Sequence, residues 1–183
     1  MNGILDDTIA YLVGPIDRCT DKGQGWRNNI KIMAKDKGMK IRFLDPTNKL
    51  AGLVKDVGDE QERIHYLKKE QKWEELSQLI KNIVHSDLRC VDFSDFIIMH
   101  IDPNIHMAGS YHEMIVAITQ KKPIFVFVEG GKINTPSWIF GILDHNNIFD
   151  NIVDVVEHLH KINIGEICLD NRWVIIRKEI NGL

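Results

Sequence analysis

Residues 95–128 determine the fold of this chain, and they read DFIIMHIDPNIHMAGSYHEMIVAITQKKPIFVFV. An apolar run at residues 95–101 stops at Asp102-Pro103, a helical pattern covers residues 108–121, and a second apolar run fills residues 123–128. Two apolar runs of strand length that flank a helix are typical of a β-α-β unit, in which the two strands lie parallel. The stretch therefore predicts a buried parallel sheet.

The same alternation extends in both directions along the chain. Further runs of strand length end at Gly14-Pro15 and at Asp45-Pro46, and a weaker run at residues 147–149 follows the run at residues 123–128. Strands are predicted at residues 8–14, 40–44, 95–101, 123–128 and 147–149, and helices at residues 25–37, 59–91 with one break, 108–121, 136–143 and 151–161. This order predicts an α/β fold, a flavodoxin- or Rossmann-like three-layer sandwich with a mostly parallel five-stranded sheet. Residues 166–176 predict a C-terminal β-hairpin that turns at Asp170-Asn171.

Length and composition narrow the class of protein. A chain of 183 residues with 44% hydrophobic and 27% charged residues is expected to form one globular domain over residues 1–183. The net charge of −3 argues against binding a nucleic-acid polymer through bulk charge. Three cysteines without a close pair indicate neither a disulfide framework nor a zinc cage. No apolar run approaches the ~18 residues of a membrane span, so we expect a cytoplasmic protein that does not bind membranes.

Asp87 interrupts an apolar stripe on the long predicted helix. At the helical period, one face carries Leu76, Ile80, Val84, Asp87 and Val91. A carboxylate in such a stripe lies at the rim, accepts hydrogen bonds at a helix end, or takes part in chemistry, because burying it alone is costly. Residues 60–75 of this helix are highly charged, which favours a solvated face or a partner surface without chemistry of its own.

Glu113 is the second carboxylate of interest. Gly109 and Ser110 suit a helix start, which places Glu113 in the first turn, where the helix dipole favours a negative charge. Plain helix capping would explain such a residue. Yet this helix begins at the carboxyl edge of the sheet, where ligands of open parallel sheets bind. An ionised Glu beside a carboxylate that exchanges protons can displace a group at an anomeric carbon.

The turn after the first strand offers candidate ligand contacts. It contains Gly14, Pro15 and Asp17 but neither a GxGxxG nor a Walker pattern, so its glycines alone are weak support for nucleotide binding. Trp26 and Arg27 could bind a ligand or cap the first helix. Residues 45–58 lack periodicity and suggest a flap over the site. The histidines lack metal-ligand spacing, so we expect no metal.

Taken together, these blocks resemble the nucleoside 2-deoxyribosyltransferase family. The resemblance rests on four stretches in order and covers about residues 9–149: Tyr11-Leu-Val-Gly-Pro15, Ser86-Asp87-Leu88 with Ser94-Asp95 before an apolar strand, Gly109-Ser-Tyr-His-Glu113 with the strand after Lys121, and Pro136-Ser-Trp138. The bulky Tyr111 and His112 depart from the family's pattern and are expected to alter the sugar pocket.

The resemblance implies an activity and a role for each matched residue. Glu113 would attack C1′ of a 2′-deoxyribonucleoside, and the covalent deoxyribosyl intermediate would pass the sugar to another base. Asp95 would protonate the departing base, Asp87 would bind the base edge or assist that proton transfer, and Tyr11 would hold the Glu113 carboxylate. The implied substrate-binding residues are Gly14, Pro15, Asp17, Trp26, Arg27, Gly109 and Ser110. The family needs no cofactor and forms homo-oligomers, so the implied partners are a nucleoside or nucleotide, a free nucleobase and further copies of the chain.

Two other functions stay open from the sequence. Gly14-Pro15-Ile16-Asp17 resembles the nucleoside 5′-monophosphate N-glycosidases, whose first loop holds the phosphate and whose acceptor is water. In that case Arg18, Arg27 or Ser110 would contact the 5′-phosphate. A nucleotide-binding module that has kept the fold and lost catalysis is the third possibility, and the presence of Asp87, Asp95 and Glu113 together argues against it.

Overall fold

The computed structural model describes residues 3–16, 19–48 and 57–175, and these contain a five-stranded parallel sheet. The strands are β1 (Ile9–Val13), β2 (Arg42–Leu44), β3 (Phe96–Ile101), β4 (Ile124–Val128) and β5 (Ile148–Phe149). Their order is β2-β1-β3-β4-β5, and every pair is parallel. This is the flavodoxin-like order, in which the chain turns to opposite sides of β1 and leaves a crevice between the carboxyl ends of β1 and β3. The predicted α/β sheet is thereby confirmed.

Within the described residues, five α-helices accompany the strands. They are α1 (Gln24–Asp36), α2 (Val57–Lys69), α3 (Trp73–Phe93), α4 (Ala108–Thr119) and α5 (Ile152–Asn163). The long predicted helix breaks once, between α2 and α3, where Gln71 adopts a positive φ of 54°. The helix predicted at residues 136–143 is a short 3-10 helix, Ser137–Gly141. No helix in the described part of the chain is both long and apolar enough to cross a membrane.

The helices cover both faces of the sheet because successive strand side chains point to opposite sides. On one face, Leu12 and Ile98 belong to a core that includes Ile30 of α1 and Leu159 of α5. On the other face, Tyr11, Val13, Ile97 and Met99 belong to a core that includes Val91 of α3 and Met114 of α4. We call these the α1/α5 face and the α3/α4 face. The molecule is therefore the three-layer sandwich that the alternation predicts.

The predicted C-terminal β-hairpin is wrong for the residues that the structure describes. Residues 166–175 contain no strand, although Asp170 forms a turn in which its carboxylate accepts the Arg172 N–H at 2.9 Å. The apolar side chains of this segment pack instead on the core of the α1/α5 face, with the Trp173 ring 5.3 Å from that of Phe96. An isolated two-stranded hairpin is marginally stable, and burial of the alternating apolar residues stabilises the segment without one.

Candidate active site

A cavity of about 270 Å³ lies at the carboxyl edge of the sheet, on the α3/α4 face. The end of β1, the start of α4 and the facing sides of α2 and α3 enclose it. Its lining includes Gly14, Pro15, Glu60, Gln61, Ile64, Ile80, Ile83, Val84, Asp87, Gly109, Ser110 and Glu113. This is the crevice at which proteins with this strand order bind their ligands.

Glu113 and Tyr11 meet at the base of this cavity. Tyr11 is wholly buried, and its hydroxyl donates a hydrogen bond of 2.7 Å to Oε1 of Glu113. Tyr11 points to the α3/α4 face because its neighbours Ala10 and Leu12 face the other core. The sequence predicted Glu113 in the first turn of α4. The residue lies in the second turn, because α4 begins at Ala108. A buried carboxylate beyond the first turn is not a helix cap.

Burial changes the acidity of both groups. Desolvation raises the pKa of Glu113 to about 7; the Tyr11 hydrogen bond and the Arg27 charge oppose the shift, and the Asp87 charge adds to it. Burial, together with the nearby Glu113 and Asp87 charges, raises the pKa of Tyr11 well above its ordinary value. Tyr11 is therefore a neutral donor at physiological pH, and Glu113 titrates near neutrality.

Asp87 supplies a second carboxyl group to the same cavity. It lies on α3, and its charge raises the pKa of both Glu113 and Tyr11. Two carboxyl groups that share a poorly solvated space resist ionising together, so one of them tends to keep a proton. Below about pH 7 Glu113 is the group that keeps it, because burial and the Asp87 charge raise the Glu113 pKa.

Asp95 is not part of this cavity. It precedes β3 and lies at the amino edge of the sheet, whereas Glu113 lies at the carboxyl edge. Its Oδ2 accepts the Ile9 N–H at 2.7 Å, and its own N–H donates to the Ile9 carbonyl at 2.7 Å. The structure thus gives Asp95 the role of joining the starts of β1 and β3, and we leave it out of the proposed catalytic set.

The Arg27 side chain likewise makes its hydrogen bonds to groups of the protein itself. Its side chain is wholly buried, and the guanidinium donates to the main-chain carbonyls of Leu12, Gly14, Pro15 and Gly23. Asp45 lies 3.7 Å from Nε. Burial lowers the pKa of Arg27, and the Asp45 charge opposes that shift. Arg27 shapes the turn after β1 and does not line the cavity.

Trp26 packs on the opposite face of the sheet. Its ring lies 5.6 Å from His100 and 5.4 Å from Phe127, and it does not line the cavity. A Cβ at Gly14 would stand 2.9 Å from the Trp26 ring and 3.1 Å from the His100 Cβ, so glycine permits the end of β1 to lie this close. The predicted binding residue Asp17 and residues 49–56 of the predicted flap lie outside the described residues.

Glu60 and Gln61 were not predicted as site residues. Both lie on α2 and line the cavity; Glu60 is 8% exposed, and Gln61 donates to the Ile16 carbonyl at 3.3 Å. The prediction of a solvated face over residues 60–75 overlooked the spacing of Glu60, Ile64 and Leu67, which brings them onto one side of a helix. Within residues 3–16, 19–48 and 57–175, no three His, Cys, Asp or Glu side chains are grouped so that they could hold a metal ion.

Comparison with solved structures relates this arrangement to known proteins. The chain is similar to a 2-deoxyribosyltransferase from the psychrotolerant bacterium Bacillus psychrosaccharolyticus, with a TM-score of 0.53, 15% identity and coverage of 81% of this chain and 90% of that one. The chain has the fold of a 2-deoxyribosyltransferase. A 2-desoxiribosyltransferase from Leishmania mexicana also matches, with a TM-score of 0.44, 18% identity and coverage of 66% of this chain. The chain spans 64% of the length of that second protein.

The similarity to the 2-deoxyribosyltransferases is one of structure. No protein-family model matches the sequence, and no curated protein matches it either. Within the shared fold, the cavity brings together Glu113, Tyr11, Asp87, Gly14, Pro15, Gly109 and Ser110 of the predicted site residues.

Proposed function

We propose that this protein is a nucleoside 2-deoxyribosyltransferase, which transfers 2-deoxyribose from one nucleobase to another. The observation that carries the proposal is the buried Glu113 carboxyl group, held by the Tyr11 hydroxyl and accompanied by Asp87 in one cavity at the sheet's switch point. The shared fold supports it, since the Bacillus protein is described as a biocatalyst for the synthesis of nucleosides.

The proposed reaction proceeds in two displacements. The ionised Glu113 carboxylate attacks C1′, the C1′–N bond breaks, and its electron pair stays on the base nitrogen, which takes a proton from water while Asp87 binds the edge of the base. A second base then gives its ring N–H proton to water while its nitrogen attacks C1′, and the Glu113 carboxylate leaves. One nucleoside and one free base are consumed, and one of each is formed, without net proton release.

The lining of the cavity favours an unphosphorylated nucleoside over a 5′-monophosphate. Among the described residues that line it, none is lysine or arginine, and Glu60, Asp87 and Glu113 are acidic. His106, exposed at the edge, is the single histidine in that set. Any of these carboxyl groups that is ionised would repel a phosphate dianion. Of the two arginines that the N-glycosidase alternative assigns to the phosphate, Arg27 is bound to loop carbonyls, and Arg18 lies outside the described residues.

A surface next to the site supports the proposed homo-oligomer. An apolar groove of about 430 Å³ runs between α4 and the 3-10 helix Ser137–Gly141. The Trp138 side chain beside it is 82% exposed, and Ile115 of α4 is 54% exposed. Large exposed apolar patches of this kind mark interaction surfaces. The other proposed partners are a nucleoside and a free nucleobase.

Base exchange tests the proposal directly. The protein is incubated with a 2′-deoxynucleoside and a different free base, and chromatography is expected to show the new nucleoside. Glu113→Gln should lower the exchange rate on the order of 10³-fold or more, because the nucleophile is lost. Glu166→Gln, at an exposed position outside the cavity, is the matched control and should exchange at the wild-type rate.

Other products would identify the alternatives. Free base with sugar phosphate, obtained from 5′-monophosphates alone, would establish the N-glycosidase. Tight ligand binding without turnover on any substrate would indicate the inactive binding module. Exchange that persists in Glu113→Gln would contradict the proposed nucleophile.

A further inference from the structure

We propose that Ser110 binds the 3′-hydroxyl group of the substrate's sugar and thereby selects nucleosides that carry this group. The inference rests on the proposed function, because it assumes that Glu113 attacks C1′ of a nucleoside in the cavity. It gives a specificity-determining role to a hydroxyl group that lies one helical turn before the proposed nucleophile.

The first step is the placement of the Ser110 side chain. The residue is 8% exposed and lines the cavity together with Glu113. It is the only serine, threonine or tyrosine among the described residues that line the cavity. A Cβ at the neighbouring Gly109 would contact none of the described residues beyond its own turn of α4 within 4 Å. The cavity wall therefore leaves room for a ligand beside Ser110.

The Ser110 hydroxyl is not used by the helix itself. Serine near a helix start often caps the helix from the N-cap position, but here Met107 occupies that position and Ser110 is the third residue of α4. No other residue in the described part of the chain forms a hydrogen bond with this hydroxyl. Since a buried hydroxyl group normally has a hydrogen-bond partner, we expect a polar group of the ligand to provide one.

The second step is the position of Ser110 relative to Glu113. Both residues belong to α4 and line the same cavity. Residues three apart on a helix are neighbours on one face, with ~5–6 Å between their Cβ atoms. The two side chains therefore meet the same side of a sugar bound in the cavity.

The third step is the stereochemistry of the displacement. The nucleophile approaches C1′ from the side opposite to the departing base. In a β-nucleoside the base lies above the sugar ring, so the Glu113 carboxylate reaches C1′ from below. The 3′-hydroxyl also projects below the ring, whereas the 5′-hydroxymethyl group projects above it. A hydroxyl group on the Glu113 side of the sugar therefore meets the 3′-hydroxyl and not the 5′-hydroxyl.

A contact between these two hydroxyl groups favours sugars that can complete it. The Ser110 side chain has one donor and two acceptor sites, so it can bind the 3′-hydroxyl in either direction. A 3′-deoxy sugar would leave the buried Ser110 hydroxyl without this partner. We expect such a loss to lower kcat/KM by about tenfold or more.

Two sugar donors that differ only at the 3′ position test the inference. With adenine as the acceptor base, kcat/KM is measured for thymidine and for 3′-deoxythymidine. The ratio of the two donors in Ser110→Ala is compared with the ratio in the wild type, so that the different intrinsic reactivities of the donors cancel. We expect Ser110→Ala to lower kcat/KM for thymidine about tenfold and to leave that for 3′-deoxythymidine within about twofold of the wild type. Ser77→Ala, at an exposed position on α3, is the matched control and should keep the wild-type ratio.

Each outcome either supports or overturns the role of Ser110. A merely structural role would lower kcat/KM for both donors together and leave their ratio unchanged in Ser110→Ala, and that result overturns the inference. A loss confined to donors with a 5′-phosphate would place Ser110 at the phosphate and also overturns it. Absence of turnover with every donor would defeat the proposed function alone. Calorimetric binding of the two nucleosides then decides on Ser110, since tighter binding of thymidine that Ser110→Ala abolishes supports it, and equal or absent binding overturns it.

Discussion

At the scale of single residues, the pair of Tyr11 and Glu113 controls the chemistry of the site. The Tyr11 hydroxyl donates a hydrogen bond to the Glu113 carboxylate. Burial raises the pKa of Glu113, and this hydrogen bond partly offsets the rise. Because the proposed attack on C1′ needs the ionised form, the activity of the wild type should rise with pH through the Glu113 pKa of about 7.

Tyr11→Phe should move that rise to higher pH. Removal of the O–H donor destabilises the ionised carboxylate, so the pKa of Glu113 increases further and less of it is ionised at neutral pH. We expect kcat/KM at pH 7 to fall roughly tenfold, in keeping with the loss of a hydrogen bond to a charged group. The measurement is kcat/KM for base exchange between pH 5 and pH 9.

The matched control for this prediction is Tyr111→Phe. Tyr111, which the sequence suggested would alter the sugar pocket, lies on α4 and lines the apolar groove, not the catalytic cavity. The pH profile of Tyr111→Phe should therefore coincide with that of the wild type. A Tyr11→Phe profile with an unchanged or lower midpoint would contradict the assigned role of the phenol.

At the scale of elements, the two ends of β3 have different tasks. Its carboxyl end leads into α4 and so positions Glu113, while Asp95 at its amino end ties the strand to β1 through two bonds with Ile9. On the other side of the crevice, the Arg27 guanidinium of α1 donates hydrogen bonds to main-chain carbonyls at the end of β1 and in the turn after it. The elements thus build the edge on which the cavity forms.

Asp95→Ala should weaken the fold and spare the activity. The Ile9 N–H would lose its partner, which costs about 1–3 kcal/mol in the free energy of unfolding. We expect kcat/KM of the folded variant to stay within about twofold of the wild type. Urea unfolding and the exchange assay at 25 °C measure the two quantities.

Asp95→Asn provides the comparison, because its amide oxygen can still accept the Ile9 N–H and should preserve most of the stability. If Asp95 protonated the departing base, both variants would instead lose activity by about 10²- to 10⁴-fold with the fold intact. That result would return Asp95 to the catalytic set.

At the scale of the whole molecule, the site lowers the stability of the protein. Below about pH 4.5, Glu113 is protonated in the folded and the unfolded chain and contributes nothing. Between pH 4.5 and 7 the unfolded chain releases the proton that the folded chain keeps, so the contribution of Glu113 to stability falls as the pH rises. Above pH 7 the full cost of about 3 kcal/mol is present.

Glu113→Gln should therefore stabilise the protein in a pH-dependent way. The amide does not ionise, so the variant is expected to exceed the wild type by about 1 kcal/mol at pH 5 and about 3 kcal/mol at pH 8. Urea unfolding at both pH values gives the difference, with Glu166→Gln as the exposed control. A gap that is the same at the two pH values would show that burial does not raise the Glu113 pKa.

Sequence reasoning succeeded where a local pattern determines the outcome. The alternation of apolar runs and helical periods predicted the parallel sheet, since strand and helix periods are local properties of the chain. The same periods predicted that Glu113 follows the carboxyl end of β3 and that Asp87 shares a helix face with apolar residues. The hairpin at residues 166–176 was predicted from alternation alone, and alternation does not state which surface buries the apolar side chains.

The sequence by itself determined the sheet and its helices, because periodicity and chain order suffice for these. It proposed Glu113 and Asp87 as site residues from their positions, and Tyr11 from a family resemblance. Only the tertiary structure decided that Arg27 binds loop carbonyls, that Trp26 packs on the α1/α5 face of the sheet, and that Glu60 lines the cavity. The physical reason is that these contacts depend on how α1 and the pair of α2 and α3 pack against the edge of the sheet. Such packing brings together side chains that are distant in the sequence, so the local periodicity of the sequence does not predict these contacts.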